Sequence, residues 1–420
     1  MRRPCASILA LMAVVGLAGA DWPQFRGSDT SSVSADRNVP KSISEHIAWS
    51  ADLPGRGVSG PIVVNGKVIL SASSGYQQDR LHVLCFDASS GKPLWERQFW
   101  ATGRTLCHPK MCNATPTPAS DGKRIFAFYS SNDVICLDLD GNLQWMRGLT
   151  LDYPNASNSL GMASSPVVVG ETLIVPVENL SESFTAGLDV ATGANRWKLD
   201  RPLLDNWTSP VVLAGQTRDD DLVVLQSGKG LVALRPYSGY EVWRYDEAAS
   251  TIPSSAQAGG LLFVPSKGLT ALEPSAAGQP PKVLWQSNKL GPATASPLVI
   301  DGRVYNINGS GVLACANAKS AEILWQLRLQ VPLGEKTSRG VFTSTPVAAD
   351  GHLYCFNEDG VAIVVQGGDM GQIVASHDFA ETILATPAIA DGALYIRSDK
   401  HLWKIGGKSD RLDGSETSRK

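Results

Sequence analysis

Seven of the eleven tryptophans in this 420-residue chain recur at near-constant spacing. They are Trp49, Trp95, Trp145, Trp197, Trp243, Trp285 and Trp325, separated by as few as 40 residues (Trp285 to Trp325) and as many as 52 (Trp145 to Trp197). Such a period means that one supersecondary unit is copied along the chain and buries its apolar faces against neighbouring copies. One phrase leads into these tryptophans: CFDASSGKPLW (Cys85–Trp95), CLDLDGNLQW (Cys136–Trp145), GLDVATGANRW (Gly187–Trp197), ALRPYSGYEVW (Ala233–Trp243) and ACANAKSAEILW (Ala314–Trp325). It reads as a strand end, a small-residue turn usually holding Gly, and a strand finishing at Trp. Asp offers an acceptor to the turn's backbone and Gly its positive φ, so each phrase predicts a hairpin.

A second phrase opens each unit: Ser or Thr before Pro, an apolar run, a Gly-containing turn and another apolar run. It occurs as SGPIVVNGKVIL (Ser59–Leu70), TPTPASDGKRIFAF (Thr115–Phe128), SSPVVVGETLIV (Ser164–Val175) and TSPVVLAG (Thr208–Gly215), and weakly as IPSSAQAGGLLFV (Ile252–Val264). It returns as ASPLVIDGRVYNI (Ala295–Ile307), STPVAADGHLYCF (Ser344–Phe356) and ATPAIADGALYI (Ala385–Ile396). Eight openings, each starting a unit that reads as up to four short strands, predict an all-β fold: an eight-bladed β-propeller of four-stranded antiparallel blades. Units one to six close at Trp95 through Trp325, and unit seven closes near Gln372–Ser376 without Trp. Unit eight ends at Trp403–Ile405, one strand short. His46–Ser50 has the closing pattern but precedes the first opening, so it is expected to complete the last blade and remove an open edge.

The 18% charged residues and formal net charge of −3, with no long run of one sign, leave no basic face for nucleic acid. Arg2 and Arg3, an apolar run from about Ile8 to Leu17 and Ala18-Gly19-Ala20 read as a signal peptide over 1–20 rather than a membrane span. The expected organisation is therefore signal peptide 1–20, N-terminal extension 21–40, propeller 41–405 and disordered tail 406–420. The protein is expected to be exported, periplasmic or extracellular, and monomeric.

The phrase D-x-x-[ST]-G-x-x-x-W, with [ST]-P-V-V-x-x-G before it, resembles the repeat of the quinoprotein alcohol dehydrogenase-like, eight-bladed propellers. That superfamily holds pyrroloquinoline quinone (PQQ) dehydrogenases and also a non-catalytic outer-membrane assembly lipoprotein. DWPQFRG (Asp21–Gly27) is similar to the start of a group of secreted propellers with this repeat. The resemblance implies that the repeated Trp and Gly join neighbouring blades. Its dehydrogenases would imply PQQ, Ca²⁺ on oxygen ligands, a carboxylate base and an adjacent-cysteine disulfide. No two cysteines are adjacent in this chain.

Propeller function usually sits on the face where the loops into the innermost strands gather. Three such connections are long: Gln98–Asn113, Arg147–Ala163 and Gln330–Thr343. Together with the within-blade turn at Glu178 and the loop holding Trp207, they supply the ligand-binding candidates Arg104, His108, Asp152, Asn158, Glu178, Trp207 and Arg339. Cys107 and Cys112 flank His108-Pro109-Lys110-Met111. A local disulfide is the first reading, free thiols the second and a thiolate–imidazole metal site the third. Cys85, Cys136 and Cys315 occupy equivalent strand positions and read as core filling. The leading functional expectation is a non-catalytic, cofactor-free scaffold that binds a protein or extracytoplasmic polymer. The alternative is a PQQ- and Ca²⁺-dependent alcohol or polyvinyl-alcohol-type dehydrogenase with Asp152 or Glu178 as base or cation ligand.

Overall fold

A computed structural model describes residues 21–275, 278–333, 336–337 and 340–407. The expected signal peptide, the tail from 408 onward and Arg339 lie outside the described residues. Eight four-stranded antiparallel sheets form the blades. Blade 1 comprises Ile62–Val64, Lys67–Ser74, Arg80–Asp87 and Pro93–Trp100. Blades 2 to 7 follow as 119–148, 167–200, 211–245, 256–287, 298–328 and 347–378. Blade 8 combines Ala388–Ala390, Ala393–Arg397 and His401–Gly406 with the N-terminal strand Ile47–Asp52. That strand pairs Ile47 with Ile405 and Asp52 with His401, so the two ends of the propeller chain close one sheet as the sequence predicted. Gly406, expected in the tail, ends the third strand of this blade.

Burial follows distance from the axis. The innermost strand of blade 1 is buried throughout, whereas its outermost strand alternates between exposed and half-buried residues. Inner strands are covered on both faces by neighbouring blades, so they read as continuous apolar runs. The core is consequently a set of seams between blades. One cluster joins Leu81, Val83 and Cys85 of blade 1 to Ile125, Ala127 and Ile135 of blade 2, and another joins Phe126 and Val134 to Val175 and Phe184.

The repeated Trp locks six of the eight seams. Its indole Nε1–H donates to a carbonyl in the third turn of the following blade: Trp49 to Ala88, Trp95 to Leu139, Trp145 to Val190, Trp197 to Pro236, Trp285 to Ala318 and Trp325 to Gly368, at 2.8–3.3 Å. The turn glycine lies under the ring: a Cβ at Gly91, Gly141, Gly193 or Gly239 would stand 2.6–2.7 Å from the indole of the preceding blade. The D-x-x-[ST]-G spacing is thus an interblade device as well as a hairpin. Trp243 differs, its Nε1 having no acceptor among the described residues.

Opposite these tryptophans stand small residues, Cys85 facing Trp95, Cys136 facing Trp145, Gly187 facing Trp197 and Cys315 facing Trp325. A Cβ at Gly187 would come within 2.2 Å of the Trp197 ring, so that position has room only for Gly. Burial pushes the thiols of Cys85 and Cys136 up to about 12 and that of Cys315 to about 11, as suits packing groups rather than nucleophiles.

Candidate functional site

The segment from Asp21 to Val39 closes one end of the propeller axis. Trp22 exchanges two backbone hydrogen bonds with Val63 of blade 1, and Pro23 O accepts from Ser120 N of blade 2. Gln24 Oε1 accepts from Val168 N of blade 3, and Thr30 Oγ1 from Val212 N of blade 4. The Arg26 guanidinium, 1% exposed, donates to Ser255 O of blade 5 at 2.6 Å and to Pro297 O of blade 6 at 3.1 Å. Ser32 and Ser34 bond Ala348 of blade 7, and the Asp36 carboxylate accepts from Gly392 N of blade 8. One stretch of chain thereby touches all eight blades. Among the described residues no carboxylate pairs with Arg26, and burial lowers its pKa to about 10 despite Asp29 nearby.

Above this plug lies an axial cavity of about 380 Å³, with Phe25 among its lining. Its wall comes from the same repeat position of every blade, the residue before or near the opening Pro: Gly60, Thr117, Ser165, Ser209, Ser254, Ser296, Thr345 and Thr386. These residues form a chain of bonds around the axis, in which the backbone N–H of one blade donates to the hydroxyl oxygen of the next. The links run Gly60 to Thr117, Thr117 to Ser165, Ser165 to Ser209, Ser209 to Ser254, Ser254 to Ser296, Ser296 to Thr345 and Thr345 to Thr386, at 2.9–3.3 Å. The eighth link is open because Gly60 has no hydroxyl, and a Cβ there would lie 2.6 Å from Thr386 O. The [ST]-P signature therefore has two physical roles. The hydroxyl fastens neighbouring blades, and Pro begins an inner strand where no N–H is needed.

The cavity mouth carries His108, Lys110, Met111, Leu160, Trp207, Ile252 and Leu384. The His108 loop reaches across it. His108 N donates to Leu160 O at 2.8 Å, and the Lys110 ammonium pairs with Glu358 of blade 7 at 2.8 Å. Trp207 Nε1 donates to Gly161 O, fixing its ring at the rim.

Of the residues singled out in the sequence, His108 and Trp207 meet at this mouth. Arg104 lines a separate shallow depression with Tyr76 and Asp79. Asp152 ends a one-turn helix, Leu149–Asp152, and binds the Arg147 guanidinium. Asn158 is buried, donating to Ser130 O at 2.6 Å and Asn132 Oδ1 at 3.0 Å. Glu178 is buried in a seam, with one oxygen 2.6 Å from Arg201 Nε and the other accepting from Asn206 Nδ2 at 2.9 Å. Its charge is matched on the spot, and neither it nor Asp152 lines the cavity. Cys107 and Cys112 are free thiols, correcting the expected disulfide. Cys112 is buried beside Thr115, whereas Cys107 lies against Ser130, so different neighbours take each sulfur. Burial raises both thiol pKa values.

A catalytic PQQ–Ca²⁺ centre does not fit this wall. The described lining contains no Asp or Glu to ligate a cation or to act as base, and its hydroxyl oxygens already accept backbone N–H groups. Among the described residues no three His, Cys, Asp or Glu side chains gather into a metal-binding group.

Comparison with known proteins follows the same lines. A family model described as outer membrane protein assembly factor BamB matches residues 44–245 and 276–369. The outer membrane protein assembly factor BamB of Vibrio cholerae is 22% identical over 201 residues, 44% of this chain and 49% of that protein, so the match spans about half the relative's length. BamB from Moraxella catarrhalis superposes with a TM-score of 0.61 at 16% identity, covering 86% of this chain and 97% of that one. A europium-containing methanol dehydrogenase gives 0.69 at 12% identity, over 92% and 98% of the two chains. Quinohemoprotein alcohol dehydrogenase from Comamonas testosteroni gives 0.67 at 14%, over 92% and 81%. At these identities the superpositions speak for the fold alone.

Proposed function

The chain belongs to the family described as outer membrane protein assembly factor BamB, and on that premise we propose that it is an exported, non-catalytic propeller whose loop face binds a protein partner. The observation that carries this reading is the apolar character of that face. Leu106, Leu160, Leu203, Ile252 and Val341 are all exposed on connections leading into innermost strands, and Leu151 and Leu180 stand exposed on the same side. Exposed apolar side chains gathered on one face cost solubility and are characteristic of interaction surfaces. The carboxylate-free wall of the axial cavity supports the same reading against the dehydrogenase alternative. Export rests on the basic-then-apolar start of the chain and on the outer-membrane setting named for its relatives.

Photo-reactive residues placed one at a time test the docking face. Leu106, Leu203 and Val341 probe the loop face, and Leu94 and Leu324 probe the outer strands. A common cross-linked species from the loop-face positions alone is expected in cell envelopes. Cross-links from the outer strands alone, or equally from both sets, would overturn the assignment.

A further inference from the structure

The ring of hydroxyls around the axis has spent half of its acceptor capacity and kept its donors. Thr117, Ser165, Ser209, Ser254, Ser296, Thr345 and Thr386 each accept a backbone N–H from the preceding blade, yet none donates its own O–H to an acceptor among the described residues. All seven are 3–8% exposed and all line the axial cavity. A hydroxyl carries one donor and two acceptor lone pairs. Seven donors therefore line one buried space, while part of the oxygen capacity a cation would use is already taken.

Nothing negative in the described lining competes for those donors, because it has no Asp or Glu. Outside the ring the lining is mostly apolar, with Met111, Leu160, Trp207, Ile252 and Leu384 among Thr115, Thr294 and Thr343, and Phe25 belongs to the lining beside the plug. Lys110 and His108 are the titratable groups at that mouth, and the Lys110 charge is paired with Glu358.

We propose that the axial cavity binds a carboxylate on an apolar stem, with the carboxylate oxygens on the hydroxyl ring and the stem against the Trp207–Leu384 collar. A carboxylate is acceptor-only with about four lone-pair sites, so it can take several of the O–H groups at once, and hydrogen bonds to it are stronger than those to a neutral acceptor. An ammonium in the same place would find one lone pair left on each hydroxyl and would leave the O–H donors unused, and a purely apolar group would leave buried O–H groups without partners. Two sources offer this chemistry: a free aliphatic acid and the C-terminal carboxylate of a protein chain ending in an apolar residue. The inference does not rest on the docking reading, since the rim can dock a protein whether or not the cavity is filled.

Calorimetric titration of the mature protein compares N-acetyl-leucine with N-acetyl-leucinamide, and a leucine-terminated peptide with its C-terminal amide. The acid form of at least one pair should bind saturably and roughly tenfold tighter than its amide, the difference expected for charge-assisted over neutral hydrogen bonds. Binding by N-acetyl-leucine points to a free acid; binding by the peptide alone points to a chain terminus. Ser209→Ala with Ser254→Ala should abolish the preference, and the acid–amide comparison on the unsubstituted protein decides the matter if that variant fails to fold. Equal binding of acid and amide, saturable binding by none of the four, or a preference that survives the double substitution in a folded protein would overturn the proposal.

Discussion

The interblade lock can be isolated within blade 2 by substituting two of its glycines with Ala. Gly141 and Gly122 have nearly the same backbone conformation, φ +81° and +83°. A Cβ at Gly141 would stand 2.7 Å from the Trp95 ring, whereas a Cβ at Gly122 meets nothing within 4 Å. Both substitutions incur the left-handed backbone strain of an L-residue, about 1 kcal/mol. Only Gly141→Ala must also push the Trp95 indole away. That overpacks the seam at about 1–3 kcal/mol and threatens the 3.1 Å bond from Trp95 Nε1 to Leu139 O, about 1 kcal/mol more. The expected losses are thus about 3–5 kcal/mol for Gly141→Ala and about 1 kcal/mol for Gly122→Ala. Urea unfolding followed by tryptophan fluorescence measures both, with slopes compared so that a change in cooperativity is not mistaken for one in stability. Equal losses would show that the glycine serves its own turn and not the neighbouring blade.

Three other outcomes are expected. Arg26→Met should cost about 2–4 kcal/mol in the same unfolding assay, because Ser255 O and Pro297 O lose buried donors at about 1–3 kcal/mol each, partly offset by no longer burying a cation. Glu178→Gln should destabilise by about 3–5 kcal/mol by leaving Arg201 uncompensated, since the two side chains are 2% and 3% exposed; a loss below about 1 kcal/mol would contradict a buried pair. Thiol titration of the exported protein, denatured without reductant, should count six free thiols, namely Cys85, Cys107, Cys112, Cys136, Cys315 and Cys355; four would restore a bond between Cys107 and Cys112.

The blades were legible because two phrases recur in order and each is local: Asp, Gly and Pro act on their own turns or strand ends. The N-terminal strand was legible for the same reason, as a closing pattern without an opening before it. What stayed hidden depends on residues far apart in the chain. Gln24, Arg26 and Thr30 sit in a short motif with no periodic signal, and their partners lie 144 to 271 positions away. The Ser and Thr of the [ST]-P openings were visible, but that each accepts a bond from the preceding blade, mostly 41 to 57 residues back, appears only once the ring is closed. Glu178 looked available in the sequence because its partner, Arg201, lies on the connection after the blade's last strand. The long loops did point to the cavity mouth through His108 and Trp207, while the exposed leucines of that face carried no pattern to single them out.

One titration separates the proposed scaffold from the PQQ-dependent alternative. Purified mature protein is titrated with PQQ in the presence and absence of Ca²⁺ while thermal unfolding, the quinone spectrum and dye reduction by added alcohols are followed. A ligand held only by the folded state must raise the unfolding temperature. The carboxylate-free axial wall predicts no Ca²⁺-dependent rise, no Ca²⁺-dependent spectral change and no alcohol-dependent dye reduction. A saturable rise accompanied by dye reduction would contradict the scaffold reading outright.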